Sequence, residues 1–398
     1  MIFGSLFRLP ILQRTIVLGW VSLGSVLIMS VASQAADWPR WRGPQADGAS
    51  AEHDLLEEWP AEGPPLAWQA KGLGSGFSSL AIVGDKIYTM GRSGDESFMI
   101  CLQRADGKTL WKAPFGDGEP NSTPTVDGPY VYGLARSGDL ACVEAASGRI
   151  AWQKSFQKDF GGHVPTWGYS ESPLVDGNLL IATPGSNDAF LVALNKKSGE
   201  IVWKTELAGA DKLQGHGGAG YASPVISHAA GVKQYVTLTG KGTVGVDAAS
   251  GKILWTYDRI ANGTANIPTP LVQDDFVLTS SGYGDGGTAL LELAKKGSGI
   301  EPREVYYFPA KDLQNHHGGM ILKDGYVYMG HGHNNGFPLC FEMRTGKDAW
   351  RPGRGPGRES AAVAYADGHF YFRYQDATVA LIEATPEAYR LKGSFKMA

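Results

Sequence analysis

The sequence predicts an all-β protein, a β-propeller of four-stranded antiparallel blades, and three observations carry that expectation. First, one outline recurs in a single register: a small residue, a short polar turn ending in glycine, and a tryptophan four positions after the glycine. It runs from Cys101 to Trp111, Cys142 to Trp152, Ala193 to Trp203, Gly245 to Trp255 and Cys340 to Trp350, with the turn glycine at Gly107, Gly148, Gly199, Gly251 and Gly346. A self-similar period of about 40 to 50 residues is the mark of a propeller or a related array. Second, short apolar alternations separated by Asp-Gly and Ser-Gly pairs precede each copy, as strands joined by tight hairpins require. Third, 54 Gly and 22 Pro beside 43% hydrophobic and 19% charged residues suit a turn-rich β protein rather than a helical or disordered one.

Taken in order, the chain opens with Arg8, Arg14, an apolar run from Ile16 to Val31 and the small-residue stretch Ser33-Gln34-Ala35. This predicts a signal peptide over 1–35, cleaved after Ala35, with an uncleaved anchor as the alternative. No cysteine follows the run, so no lipobox is present. The expected location is the periplasm or the exterior, with no membrane span left after cleavage and a monomeric state. Residues 36–65 lack strand periodicity and are expected to wrap the outside of the domain, with Trp38 and Trp41 as apolar anchors. The propeller occupies 66–398.

Leu66 to Ala70, around Trp68, reads as an orphan fourth strand with no strands before it. Seven complete units follow. The first begins at Ser78, the second at Thr123, the third at Ser172-Pro173, the fourth at Ser223-Pro224 and the fifth at Thr269-Pro270. The sixth opens on His317-Gly318-Gly319 and the seventh at Ser360. The fifth and seventh lack the tryptophan, and Tyr307 and Phe395 are expected in its place. The ring either closes with seven blades or is an eight-bladed design lacking part of its last blade.

Sheet physics explains these choices. Asp-Gly turns supply the positive φ of tight hairpins, and prolines that cannot donate to a ladder belong at strand starts. No blade buries both faces alone, so blades stack, and the repeat tryptophan supplies a large apolar face to its neighbour. Cys101, Cys142 and Cys340 share one slot on different blades, too far apart for disulfide geometry, and are read as small buried residues. The formal net charge of −4 gives no footprint for a polyanion, so nucleic acid is not an expected partner.

The pattern of Gly245-Val246-Asp247 through Gly251 to Trp255 resembles the tryptophan-docking repeat of the PQQ-like (pyrroloquinoline quinone repeat) β-propeller family, and Asp37-Trp38-Pro39-Arg40-Trp41-Arg42-Gly43-Pro44 resembles the opening of secreted members. The resemblance implies one of two branches: quinoprotein dehydrogenases, or non-catalytic BamB-like propellers that act as assembly scaffolds. The dehydrogenase branch implies PQQ with calcium, an adjacent cysteine pair and a Glu, Asn and Asp set. No Cys-Cys pair and no Cys-x-x-Cys-His haem site occur, though Glu171 and Asp285 are carboxylates of the right kind. The expectation is a non-catalytic scaffold for a protein or saccharide with no cofactor, and PQQ-dependent oxidoreduction is the alternative.

Function must then lie in the loops that break the repeat. His163, His216, His316 and His317 stand in glycine-rich connections between units, and His331 and His333 in a loop between the second and third strands of the sixth. In a four-stranded meander both loop classes emerge on one face, so all six are expected at one mouth. They would bind a metal, with His331 and His333 the nearest pair, or order the neighbouring backbone. Trp167, Tyr169, Tyr283 and Asp285 are placed on the same face, where aromatic rings suit a planar or sugar ligand or pack between blades. Gly282 to Gly287 joins two strands and is no dinucleotide fingerprint.

Overall fold

The computed structural model describes residues 36–207, 218–297 and 299–397, which form seven four-stranded antiparallel sheets, each in simple meander order. The blades span 81–117, 125–155, 174–204, 225–257, 271–309, 315–350 and 361–396. A short α-helix, Phe156–Phe160, follows the second blade. The expected hairpin chemistry is present: in the seventh blade Asp367 and Gly368 both take positive φ, 45° and 75°, which matches the right-handed twist of the flanking strands.

The repeat tryptophans act between blades. The Trp111, Trp152 and Trp203 rings lie over Gly148, Gly199 and Gly251, where a Cβ would stand 2.7, 2.8 and 2.5 Å from the ring. Each indole N–H donates across the blade boundary, Trp111 to the Ala145 carbonyl (3.1 Å), Trp152 to Lys196 (3.0 Å) and Trp203 to Ala248 (3.2 Å). Trp350 bonds Thr385 in the same way at 2.8 Å. Each such bond contributes about 1 kcal/mol beyond the ring's burial. Leu66 to Ala70 forms no ladder, yet Trp68 sits over Gly107 of the first blade, so the orphan is a docking tryptophan without its strand.

The register corrects two slot assignments. In every blade with a repeat tryptophan, it pairs with the third-strand residue immediately before a bulge, as Cys101 does with Trp111. In the fifth blade that bulge follows Leu290, which pairs with Tyr306. Tyr306, not Tyr307, holds the slot, and its hydroxyl donates to the Met343 carbonyl at 2.8 Å as an indole would. In the seventh blade the slot is Gly393, opposite Leu381. Phe395 lies two residues further along and covers Gly63 instead. Trp255 has no docking glycine ahead of it, and its N–H turns back to Gln234 within its own blade at 2.6 Å.

The 36–65 segment is not an outer wrapping throughout. Its first half runs across the innermost strands: Trp38 pairs with Ile82 of the first blade, the Val126 N–H of the second donates to Pro39, and Arg42 donates to Met320 of the sixth. The Ser50 N–H then reaches Tyr365 of the seventh. Arg40 and Trp41 lie against the strand starts of the third and fourth blades, at Ser172 to Leu174 and Ser223 to Val225. So short a stretch touches this many blades only if it crosses the axis where their first strands converge. Its second half goes outward, with Trp59 buried among Tyr371, Val379 and Leu381 of the seventh blade and its backbone N–H donating to the Lys392 carbonyl. The polar groups of the crossing find partners among inner-strand backbone atoms, which an outer path would leave to solvent.

Candidate functional site: a blind axial funnel

The crossing segment blocks the axis and leaves a cavity of about 450 Å³ above it. Trp41 and Arg42 form the floor. The wall comes from connections between blades and from loops between second and third strands, the two classes that a meander sends to one end. Trp167, Tyr221 and Tyr283 present aromatic faces, and Asn121, Ser170 and Gln375 present hydrogen-bonding groups. Arg136 and His317 complete the polar lining. Among the described residues no Asp or Glu lines the cavity.

Arg42 is 6% exposed and held in a positive-φ turn (62°) closed by the Gly43 N–H on the Arg40 carbonyl. Its Nε donates to Ala46 (3.1 Å) and its Nη2 to Asp47 (3.0 Å) and Met320, all backbone carbonyls. Burial lowers its pKa to about 10, so it stays cationic at neutral pH. The wall is ordered by its own contacts. Asn121 Nδ2 donates to the Trp167 carbonyl at 2.8 Å, and the rings of Trp167 and Tyr221 meet edge to face at 5.9 Å. Trp167 remains 44% exposed, so it is available to a ligand.

The structure separates the residues expected at one mouth. Trp167, Tyr283 and His317 line the funnel. His316, His317, His333 and Tyr283 pack together, with ring centroids 3.8 Å apart for His316 and His317, 4.5 Å for His316 and His333, and 4.8 Å for Tyr283 and His316. His316 is buried, its Nδ1 is 2.9 Å from the Ser360 hydroxyl, and burial with two neighbouring histidines lowers its pKa to about 3. His331 contacts the Gln314 carbonyl through Nδ1 and Arg351 through Nε2, both at 3.3 Å, and burial lowers its pKa as well. His163 is exposed on the connection after the second blade and offers its carbonyl to Tyr169.

Tyr169 is 1% exposed and packs on Phe156 at 5.0 Å, so it belongs to the core rather than the mouth. Asp285 is exposed and accepts from the Gly263 N–H at 2.9 Å, tying two loops together. His216 and the apolar run 16–31 lie outside the described residues. Among the described residues no group of three or more His, Cys, Asp and Glu could hold a metal ion. Cys101, Cys142 and Cys340 are free and buried.

Sequence reasoning missed Arg42, Arg136, Tyr221 and the place of Trp41. It named Glu171 only beside Asp285, as a carboxylate of the kind calcium takes, and not as a buried group. Glu171 is 3% exposed between Ser170 and Ser172 of the funnel wall, one oxygen accepting from the Thr183 N–H and the other unpartnered among the described residues. Burial raises its pKa to about 7.

A family model described as outer membrane protein assembly factor BamB matches residues 95–352. Among curated proteins, the dehydrogenase subunit of a quinone alcohol dehydrogenase from Gluconobacter oxydans is 23% identical over 56% of this chain and 28% of its own length. A polyvinylalcohol dehydrogenase from Sphingopyxis sp. is 21% identical over 79% of this chain and 59% of its own length. The chain thus spans less than two thirds of either relative's length. Among solved structures, BamB from Moraxella catarrhalis shares 16% identity at a TM-score of 0.57, covering 79% of this chain and 85% of that one, a likeness of fold.

A quinone held with calcium needs oxygen ligands, carboxylates foremost, at the metal. The funnel offers two guanidinium groups, and among the described residues no carboxylate. The residues present do not fit that pair, and no step is derived through it.

Proposed function

The chain belongs to the BamB-like PQQ-repeat propeller family, and from that premise we propose that it is a binding propeller without redox chemistry of its own, whose axial funnel takes the end of a saccharide chain. The blind funnel itself supports this reading: a closed floor, aromatic faces at Trp41, Trp167, Tyr221 and Tyr283, and hydrogen-bonding side chains between them. Aromatic faces stack on the apolar faces of sugar rings while amides and hydroxyls satisfy the hydroxyls, and a cavity of about 300–1,000 Å³ suits such ligands. A closed floor admits a chain end and rejects a threaded chain.

Among the described residues no helix is long and apolar enough to cross a membrane. We place the protein outside the cytoplasm on the basis of its N-terminal sequence, acting as a monomer. Calorimetry against a panel of oligosaccharides tests the function. Saturable binding that Trp167→Ala weakens about tenfold is the expected result. Absence of binding across the panel, together with dye reduction on adding PQQ and calcium, refutes it in favour of the dehydrogenase branch.

A further inference from the structure

The floor of the funnel holds a charge that the protein does not neutralise. Arg42 is more than nine-tenths buried, and among the described residues it forms no ion pair. Its Nε and Nη2 are spent on backbone carbonyls, and among the described residues its Nη1 has no acceptor. The nearest sign of compensation is the field of Asp47, an exposed residue on the same turn. A desolvated cation without a counter-charge is costly, and evolution ordinarily pairs it or removes it.

A second guanidinium stands on the wall. Arg136 is partly buried, its Nη2 reaches the Thr166 carbonyl at 3.4 Å, and among the described residues it forms no ion pair either. His317, on the opposite wall, adds a solvent-exposed ring whose pKa is lowered by desolvation and by His333, so it offers a donor or acceptor rather than a repelling charge. Two fork-shaped cations, no lining carboxylate among the described residues, and flanking aromatic faces make a site of one electrostatic sign. Guanidinium N–H groups donate strong, charge-assisted hydrogen bonds to carboxylate and sulfate oxygens, from the free Nη1 at Arg42 and from a more open edge at Arg136.

Resting on the saccharide reading above, we infer that the funnel selects acidic glycans, seating the carboxylate or sulfate of a terminal sugar on Arg42 at the floor, with Arg136 as a second contact, while the aromatic wall stacks on the ring behind it. The floor requires that recognition be end-on. Affinity per chain is therefore independent of chain length once the first few sugars are present, whereas binding along a chain would rise with length.

The test is calorimetric titration of the full chain, freed of its leader, with tetragalacturonate, a sulfated tetrasaccharide and neutral cellotetraose, at low salt and at 0.5 M salt. At least one acidic tetrasaccharide is expected to bind about tenfold or more tighter than the neutral one, with an advantage that shrinks at high salt. The two acidic arms tell carboxylate from sulfate. Arg136→Gln should weaken the acidic ligand about tenfold more than it weakens the neutral one. Arg42→Lys, which keeps the charge but loses the backbone bonds that aim Nη1, should do the same, and a melting curve reports whether it folds. Should it not fold, Arg136→Gln and the salt series decide alone.

Equal affinity for acidic and neutral chains, an Arg136→Gln variant that binds the acidic ligand as wild type does, or affinity per chain that climbs with polymer length overturns the inference and leaves the saccharide reading standing. If no glycan binds and an acidic peptide does, both fall together.

Discussion

Replacing Glu171 by Gln should remove from the protein's stability the part that falls as pH rises through neutrality. In the folded chain burial raises this carboxyl from an ordinary value of 4.5 to about 7. Below pH 4.5 the folded and unfolded chains both carry the proton, and the group contributes nothing unfavourable. Between 4.5 and 7 the unfolded chain releases the proton while the folded chain keeps it, so stability falls as pH rises. Above about 7 both forms are ionised and a constant deficit remains. At about 1.4 kcal/mol for each tenfold displacement, that deficit is about 3 kcal/mol. The glutamine side chain is neutral throughout and still accepts from the Thr183 N–H through its carbonyl.

The difference between variant and wild type is the quantity to read, because other groups titrate too. His316, pushed down to about 3, contributes in the opposite sense: its unfolded form binds a proton near 6.5 that the folded form refuses, so stability falls as pH drops. His317 and His331, also lowered by burial, act in the same direction. All three are common to both proteins and cancel. Urea unfolding followed by tryptophan fluorescence at pH 4.5, 6, 7 and 8 should show the variant gaining on wild type by about 3 kcal/mol across the series. Any pH-independent offset reports the loss or gain of hydrogen bonds. A difference that stays flat, or shrinks with rising pH, would show that Glu171 is ionised at neutral pH and that its unpartnered oxygen has a cationic neighbour.

Three further outcomes follow from the packing. The three thiols, pushed up to about 11 at Cys101 and about 12 at Cys142 and Cys340, should resist a disulfide reagent at pH 8 in the native protein and all react in denaturant. Gly251→Ala places a methyl 2.5 Å from the Trp203 ring at a φ of +71°, and should cost about 2 kcal/mol or more in urea unfolding; Gly84→Ala, with φ +56° and open space around it, should cost only about 1 kcal/mol. Tyr306→Phe removes the hydroxyl bond to Met343 and should cost about 1 kcal/mol, whereas Tyr307→Phe, which loses a 3.3 Å contact to Gly286, should cost less.

The fold was legible because its signals are local. A glycine in a third-to-fourth-strand turn and a tryptophan four residues later describe one side of a contact, and the same pair in the neighbouring copy describes the other, so the array reads directly from spacing. Spacing fails where the ladder changes length. In the fifth blade the third and fourth strands pair as far as Lys296 and Gly299, a longer hairpin that shifts the count, and only the bulge after Leu290 shows that Tyr306 fills the tryptophan's place. The mouth was legible to the extent that strand sense alone places it. A meander sends two loop classes to one end, which gathers Trp167, Tyr283 and His317 at the funnel. It says nothing about angle around the ring, and so the sequence could not separate His163, after the second blade, from the cluster at His316, His317 and His333 on the sixth.

Arg42 was illegible for a different reason. Nothing within Asp37 to Pro44 distinguishes a segment that crosses the axis from one that lies outside, because every partner that decides it is distant in sequence: Ile82, Val126, Met320 and Tyr365. The same partners explain why a buried cation is tolerated. The segment is hydrogen-bonded to the first blade at Trp38 and to the seventh at Ser50 and Trp59, so it ties the first repeat to the last in place of a shared strand. Its free energy comes from that tie and from Trp59 in the seventh blade, and the guanidinium is carried along with it. A charge held in place by packing elsewhere need not be neutralised where it sits. The residues that join the two ends of the chain are therefore the ones that give the funnel its floor and its sign.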